Sequence, residues 1–310
     1  MPPDGPATDQ PMTTVETGTT LTRPDPRHPA WVRARMPWTA GFRQTDHILR
    51  RHGLHTVCEE AHCPNVGECY AHHTATFMIL GTNCTRACTF CAVTQSNPRA
   101  EPPDPTEPQR LAEAARELGL RHIVITSVAR DDLPDQGAGH FAACARAVKD
   151  ALPEAQIEVL IPDFRGHAGP LAIVMESPIH VLNHNMETVP RLYRDARRGA
   201  RYWRSLLLLA RAKSMQPAVP TKSGLMLGMG EREEEVYEVL CDLRDAGCDI
   251  LTLGQYLQPS PGQRPVVRYL DPAEFEGWRD EAIALGFRHV ESGPLVRSSY
   301  HAWKHAAALK

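Results

Sequence analysis

Six of the nine cysteines in this 310-residue chain fall between residues 58 and 91, in two triplets of different spacing. Cys58, Cys63 and Cys69 follow C-x4-C-x5-C, and Cys84, Cys88 and Cys91 follow C-x3-C-x2-C. Thiolates this close together are soft donors, which points to metal or iron–sulfur ligation. Each triplet offers three thiolates rather than four. A four-iron cluster held that way keeps one iron open for another ligand, much as a catalytic zinc keeps an open position. Zinc is the serious rival, because His55, His62, His72 and His73 lie beside the first triplet and offer nitrogen for a tetrahedral site. Disulfides require an oxidising compartment, and nothing in the sequence indicates export. Iron–sulfur ligation ranks first, and the second triplet is the more specific of the two signals. Cys144, Cys241 and Cys248 sit in or beside helical patterns and read as small buried hydrophobes.

The elements that must position these thiols alternate after the second triplet. Leu111, Ala114, Ala115 and Leu118 recur at helical spacing with Gly119 as a stop, and the β-branched run 122–128 follows. Phe141, Cys144, Val148 and Leu152 mark the next helix, before the run 157–161. Helices near 168–176 and 187–213 lead to strands at 180–183 and 224–227. A stripe of Val236, Val239, Leu240 and Leu243 precedes 249–253, and a last helix near 272–285 precedes 287–292. Counting 78–81, about seven strands are expected. Strand–helix alternation means parallel strands joined by right-handed crossovers. A doubly wound sheet fits that pattern as well as a barrel does. The chemistry-bearing loops follow successive strands, as at the C-terminal mouth of a barrel, and favour the latter.

Composition narrows the rest. With 42% hydrophobic residues the chain can build one large core. A formal net charge of −3 argues against non-specific nucleic-acid binding. The run 191–204 carries Arg191, Arg194, Arg197, Arg198, Arg201 and Arg204, which is either a solvated helical face or a local basic patch for an acidic protein. Residues 1–30, rich in Pro, Thr, Gly and Asp, read as loosely ordered. They have neither a basic start nor an apolar stretch, so they are no signal peptide. The longest leucine run, 206–210, is far short of a membrane span. A cytoplasmic protein with reduced thiols is expected.

The segment CTRACTFC, with Phe90 before its last cysteine, resembles the signature of radical S-adenosylmethionine (SAM) enzymes. CEEAHCPNVGECY before it and GPLVRSSYHA near the end narrow the resemblance to the lipoyl synthase family. Further stretches agree, among them TSVARDDL (126–133), EVLIPDF (158–164), HNMETVPRLY (184–193), TKSGLMLGMGE (221–231) and LTLGQYLQPS (251–260). The similarity runs from about residue 30 to residue 303. It departs at Gln136, where the family usually shows glycine.

The resemblance implies an α/β fold, a partial (β/α)6 TIM-type barrel at 76–290. An N-terminal extension at 31–75 would carry the first triplet, and a C-terminal one at 291–310 the RSSY motif. It implies two [4Fe-4S] clusters and SAM as cofactors. The cluster on Cys84, Cys88 and Cys91 would bind SAM and cleave it to a 5′-deoxyadenosyl radical. The cluster on Cys58, Cys63 and Cys69, with Ser298 or preferably Ser299 as fourth ligand, would give up sulfur. The reaction inserts sulfur at C6 and C8 of a protein-bound octanoyl-lysine, and two hydrogen abstractions consume two SAM molecules. Those carbons are not acidic, so no side-chain base can do this work, and the cofactor must. Expected partners are octanoylated lipoyl-carrier domains (a 2-oxoacid dehydrogenase E2 or the glycine cleavage H protein) and a low-potential donor such as ferredoxin or flavodoxin. Neither nucleic acid nor membrane is expected.

Single polar residues carry weaker expectations. Phe90 and Asp131 are assigned to the cofactor, Asp131 as a hold on the ribose or amino group of SAM or else as a helix cap beside Asp132. Glu158 and Asn185 are placed against SAM, and Lys222 against a substrate carbonyl or in solvent. The glycines at 224–231 do not complete a dinucleotide loop. A biotin-synthase-like enzyme lacks counterparts of the first triplet and RSSY. A two-cluster electron carrier would show four-cysteine sets. A zinc-binding interaction module is the remaining alternative.

Overall fold

All seven expected parallel strands form, and all but the last at the sheet edge are largely buried, as strands covered by helices must be. The computed structural model describes residues 29–32, 39–95 and 101–302. The expected loose N-terminal segment therefore lies, up to residue 28, outside the described residues, as do residues 303–310. Helix α1 (Ala40–Arg51) starts at Thr39, whose hydroxyl accepts from the Phe42 amide at 3.2 Å. A two-residue strand β1 (His55–Thr56), not foreseen from sequence, then leads into the short helices α2 (Val57–Glu60) and α3 (Val66–Ala71). Strand β1 pairs antiparallel with β2 (Thr76–Ile79), so the N-terminal extension is hydrogen-bonded to the sheet edge.

From β2 onward the units repeat: α4 (Glu107–Glu117), β3 (His122–Ser127), α5 (Ala138–Ala151), β4 (Gln156–Leu160), α6 (Ala168–Met175) and β5 (Val181–Asn183). The single helix expected at 187–213 is instead two, α7 (Pro190–Ala196) and α8 (Tyr202–Met215), broken around Gly199 at φ 88°. Strand β6 (Thr221–Leu227), α9 (Glu233–Asp245), β7 (Ile250–Gln255), α10 (Pro272–Ala284) and β8 (His289–Gly293) complete the order. Helix α10 begins with Asp271 and Glu274 as a capping box.

The sheet order is β1 through β8 in sequence, with β2–β8 parallel. It is an open barrel of six strand–helix units followed by a seventh strand. The helical stripes expected from sequence are buried where they meet it: Leu111, Ala114, Phe141, Cys144, Val239 and Leu243 are wholly inaccessible. Alternation decides what faces inward. Ile157 and Val159 of β4 join the core beneath the helices, as do Leu251 and Leu253 of β7. Glu158, Leu160, Thr252 and Gly254 take the other face. No helix among the described residues is long and apolar enough to cross a membrane.

Gln136, a departure from the family pattern, adopts φ 53° and is buried. The left-handed backbone explains why glycine suits the position. Glutamine is held there by its side-chain amide, 2.9 Å from the His167 ring.

Candidate active site

A cavity of about 430 Å³ opens at the C-terminal ends of β4, β6 and β7. Its inner wall includes Leu160, Gly224, Met226, Thr252 and Gly254, and its roof comes from both chain extensions. The glycines are required by close approach. A Cβ on Gly224 would collide with the Thr252 hydroxyl, and one on Gly254 with the backbone carbonyl of Val296. Gly254 thus allows the segment carrying Arg297, Ser298 and Ser299 to lie directly against β7.

The second triplet occupies the loop after β2. Among its described residues, that loop is bonded both to itself and to the barrel. The Cys84 amide donates to Thr94 O at 2.9 Å and the Thr85 amide to Ala129 O at 3.0 Å. The Thr89 amide reaches Ala196 O at 2.9 Å. Within the loop, Arg86 is buried and clamps Asp131 through two bonds of 2.9 Å, with a further contact to Asp163 at 2.5 Å. The amide of Ala129 points at Cys84 Sγ at 3.4 Å.

The first triplet rides on α2, α3 and the turn between them, a lighter frame. It is closed by the C-terminal segment through few bonds. Asn65 Nδ2 donates to Leu295 O at 2.7 Å, and the Tyr300 hydroxyl donates to Glu68 at 3.1 Å. Cys58, Cys63, Cys69, Ser298 and Ser299 line the cavity together, and Cys91 of the other triplet lines it too. Among the described residues neither serine hydroxyl makes a hydrogen bond.

The donor chemistry fits iron–sulfur clusters. Thiols within each triplet are near enough to perturb one another: Cys63 raises Cys58, and Cys84 raises both Cys88 and Cys91. Burial is the larger cause, pushing Cys58 and Cys91 up to about 12 and Cys88 to about 11. Such thiols stay protonated unless a strongly positive centre draws the charge out. Among the described residues, no three His, Cys, Asp or Glu side chains converge as on a single ion. Three thiols in each triplet suit a cluster whose ligands bind separate irons. One buried polar atom, Asn185 Oδ1, has no partner, and Asn185 lines the cavity.

The structure divides the remaining expected residues. Phe90 and Asn185 line the cavity. Asp131 does not; it is occupied by Arg86, while Asp132 is clamped by Arg130. Glu158 and Lys222 also do not, and the strand register gives the reason. Both face the barrel interior two residues before Leu160 and Gly224, which places them ~6.6 Å deeper. There Lys222 Nζ meets Glu158 Oε1 at 2.8 Å with both side chains fully buried. Burial raises the Glu158 carboxyl, but Lys222 and His122 outweigh it and hold it well below the usual range. The pair, joined by Asn183 at 3.0 Å, is the floor of the site rather than a contact within it.

Two residues were not singled out as site residues from the sequence. Glu187 lines the cavity at φ 68°, its carboxyl pushed up by burial against the pull of Arg197 and Asn185. Arg197 is buried, donates to the Tyr193 hydroxyl at 3.0 Å and lowers the Cys88 thiol against burial. The only sequence signal for Glu187 was its position just beyond the strand run ending at 183. Arg197 was indistinguishable from its exposed neighbours.

Residues 78–254 match the Radical SAM superfamily. The lipoyl synthase of Methylococcus capsulatus is 56% identical over 296 residues, covering 95% of this chain and 90% of the relative. That of Pasteurella multocida is 55% identical, covering 89% and 86%. Among solved structures, SuiB of Streptococcus suis bound to precursor peptide SuiA shares the fold at TM-score 0.55 and 13% identity. That likeness covers 81% of this chain and 52% of the other. Methylornithine synthase follows at TM-score 0.50 and 16% identity, over 69% and 70%. The cysteine triplets, the open parallel barrel and more than half identity along nearly the whole length place the chain in the lipoyl synthase family, within the radical SAM superfamily.

Proposed function

We propose that the chain inserts two sulfur atoms, at C6 and C8, into an octanoyl group borne on a lysine of a lipoyl-carrier domain. The observation that carries this reading is the shared cavity. It brings the first triplet and the RSSY serines together with Cys91 and Phe90. When bound, the two [4Fe-4S] clusters and SAM supply the one-electron chemistry and the sulfur that no side chain can.

The residues of this chain divide the remaining work. Cys84, Cys88 and Cys91 hold one cluster with an iron left open. Cys58, Cys63 and Cys69 hold the other, with Ser299 as its fourth and weakest ligand, an oxygen beside three thiolates. Asn185 and Glu187 lie two residues apart beyond β5 and offer an unpaired carbonyl oxygen and a carboxylate to the amino group of SAM. Phe90 offers an apolar face beside Cys91. Met226, Leu257 and Val296 offer apolar wall to an eight-carbon chain. Arg86 keeps Asp131 and Asp163 from approaching the cluster loop as free anions.

In this division residues 31–75 and 291–310 form the sulfur-donor module, and 76–290 the SAM-binding barrel. The carrier is a 2-oxoacid dehydrogenase E2 or glycine cleavage H protein domain, the electron donor a ferredoxin or flavodoxin, and the setting a reducing cytoplasm. Anaerobic reconstitution tests the reading. Roughly eight irons with matching sulfide per chain are expected, together with reductive SAM cleavage. Stoichiometric zinc without sulfide would overturn it.

A further inference from the structure

The loop bearing Cys84, Cys88 and Cys91 has two sides, and only one faces the cavity. Cys91 lines the cavity, whereas Cys84 and Cys88 do not. On the Cys88 side the loop packs against the elbow between α7 and α8. The Thr89 amide donates to Ala196 O at 2.9 Å, and its hydroxyl donates to Asp195 O at 3.1 Å. Arg86 runs beneath Gly199, and buried Arg197 follows the residue that Thr89 holds.

The outer surface of that elbow is unusual for a chain of net charge −3. Arg194, Arg198 and Arg201 are exposed, as is Arg165 on the adjoining loop, and none makes an ion pair among the described residues. The surface is continuous: Arg204 donates to Gly199 O at 3.3 Å, and Arg211 to Gly166 O at 2.7 Å. From residue 194 to 204 the only acid is Asp195. Beside these cations Trp203 stands 69% exposed and Leu207 46%. Large apolar side chains left in solvent within a charged surround mark docking surfaces.

We infer that this arginine–tryptophan shelf docks an acidic one-electron carrier protein, which delivers its electron to the cluster from the Cys88 side. The inference rests on the functional reading above and assigns the place where its electron enters. Charge complementarity selects an acidic partner. Position selects an electron donor over the octanoylated carrier. No residue from 190 to 211 lines the cavity, so an arm docked on the shelf does not lead into it. In the transfer the donor loses one electron and the cluster gains one, with no bond formed or broken between the proteins. Substrate and electron then arrive by separate faces, and the enzyme can be reduced while its cavity is filled.

The test uses the full chain with both clusters loaded and follows 5′-deoxyadenosine formed with SAM present. Electrons come either from a reduced plant-type ferredoxin or from dithionite. Two variants are compared with wild type, Arg198→Glu with Arg201→Glu in one chain, and Trp203→Ala. Steering by opposed charge changes association by an order of magnitude or more. The charge-reversed variant should therefore lose on the order of tenfold in ferredoxin-driven rate at low salt, and the wild-type decline with salt should vanish. Trp203→Ala should lose rate with ferredoxin while keeping its salt dependence. Dithionite-driven rates should stay at the wild-type value in both. Unchanged ferredoxin-driven rates would overturn the proposal, and so would parallel losses with both reductants. Normal ferredoxin-driven cleavage with lost lipoyl formation would assign the shelf to the carrier and also overturn it. A wild-type chain that cleaves no SAM with either reductant would instead overturn the functional reading, and this inference with it.

Discussion

Two triplets of cysteine meet one cavity, the first with all three thiols and the second through Cys91, from frames of very different stiffness. The loop of Cys84, Cys88 and Cys91 is pinned to the segments after β3 and β4 and to α7 through Thr85, Arg86 and Thr89, with a buried guanidinium holding two carboxylates. The set of Cys58, Cys63 and Cys69 sits on a four-residue and a six-residue helix, closed by Asn65, Tyr300 and an oxygen-bearing turn. The same donor atoms are thus offered once in a rigid mount and once in a mount that can open. That is the arrangement expected where one cluster must survive every turnover and the other must be dismantled.

The largest effects should separate the triplets outright. Cys88→Ala is expected to abolish reductive SAM cleavage, because the cluster with the open iron cannot assemble. Cys63→Ala is expected to keep SAM cleavage in part and make no lipoyl product. Equal loss of cleavage in both, with the other cluster retained, would erase the distinction between the two mounts.

The closure can be loosened without touching a ligand. In Gly254→Ala the new methyl meets the Val296 carbonyl, which is backbone and cannot rotate away. The RSSY segment should shift, and lipoyl product should fall about tenfold to a hundredfold, the usual cost of displacing a reacting group by an ångström. SAM cleavage, assayed alongside, should stay near wild type.

Exchanging the weakest ligand should have a smaller effect. Ser299→Ala should still assemble the cluster on three thiolates and impair sulfur transfer. Ser299→Cys should bind the corner iron more tightly and slow its opening. Product per 5′-deoxyadenosine is the measurement, with the same changes at Ser298. Loss confined to the Ser298 variants moves the ligand by one residue, and wild-type yield from all four removes serine from the cluster.

The smallest effect concerns the rigid mount alone. Burial holds His184 down at about 3, with Arg197 adding to the effect. Its Nδ1–H donates to Ile161 O at 2.8 Å, and Nε2 accepts from Ser205 at 2.8 Å. The unfolded chain therefore binds the proton first. His184 contributes stability that is complete above about pH 6.5 and is lost as the pH falls toward 3. The slope it supplies is about 1.4 kcal/mol per pH unit. Urea midpoints of the cluster-free chain at pH 7 and pH 5 should differ accordingly, and His184→Asn should flatten the difference.

Much of this was legible in the residues. Each β-branched run became a strand because parallel strands are buried on both faces and leave an apolar signature. The triplets needed only their spacing and the motifs around them. Alternation inside the barrel was not legible in the same way. Glu158 and Lys222 looked like cavity residues, since charge at a strand suggests function, yet the register sets them one layer down as each other's partner. The pairing of Asp131 was hidden for a related reason, because its partner Arg86 lies 45 residues away and no local pattern links them. Arg197 could not be told from Arg198, since the break at Gly199 ends the helical periodicity that would have separated buried from exposed.

The central claim is that the lightly framed cluster is consumed while the braced one persists. Iron and sulfide retained after a single turnover, with no sulfide supplied, measure it directly. The loaded chain should fall from about eight irons to about four per lipoyl group formed. Cys63→Ala should hold about four throughout and form none. Product formed with all eight irons still bound would contradict the account.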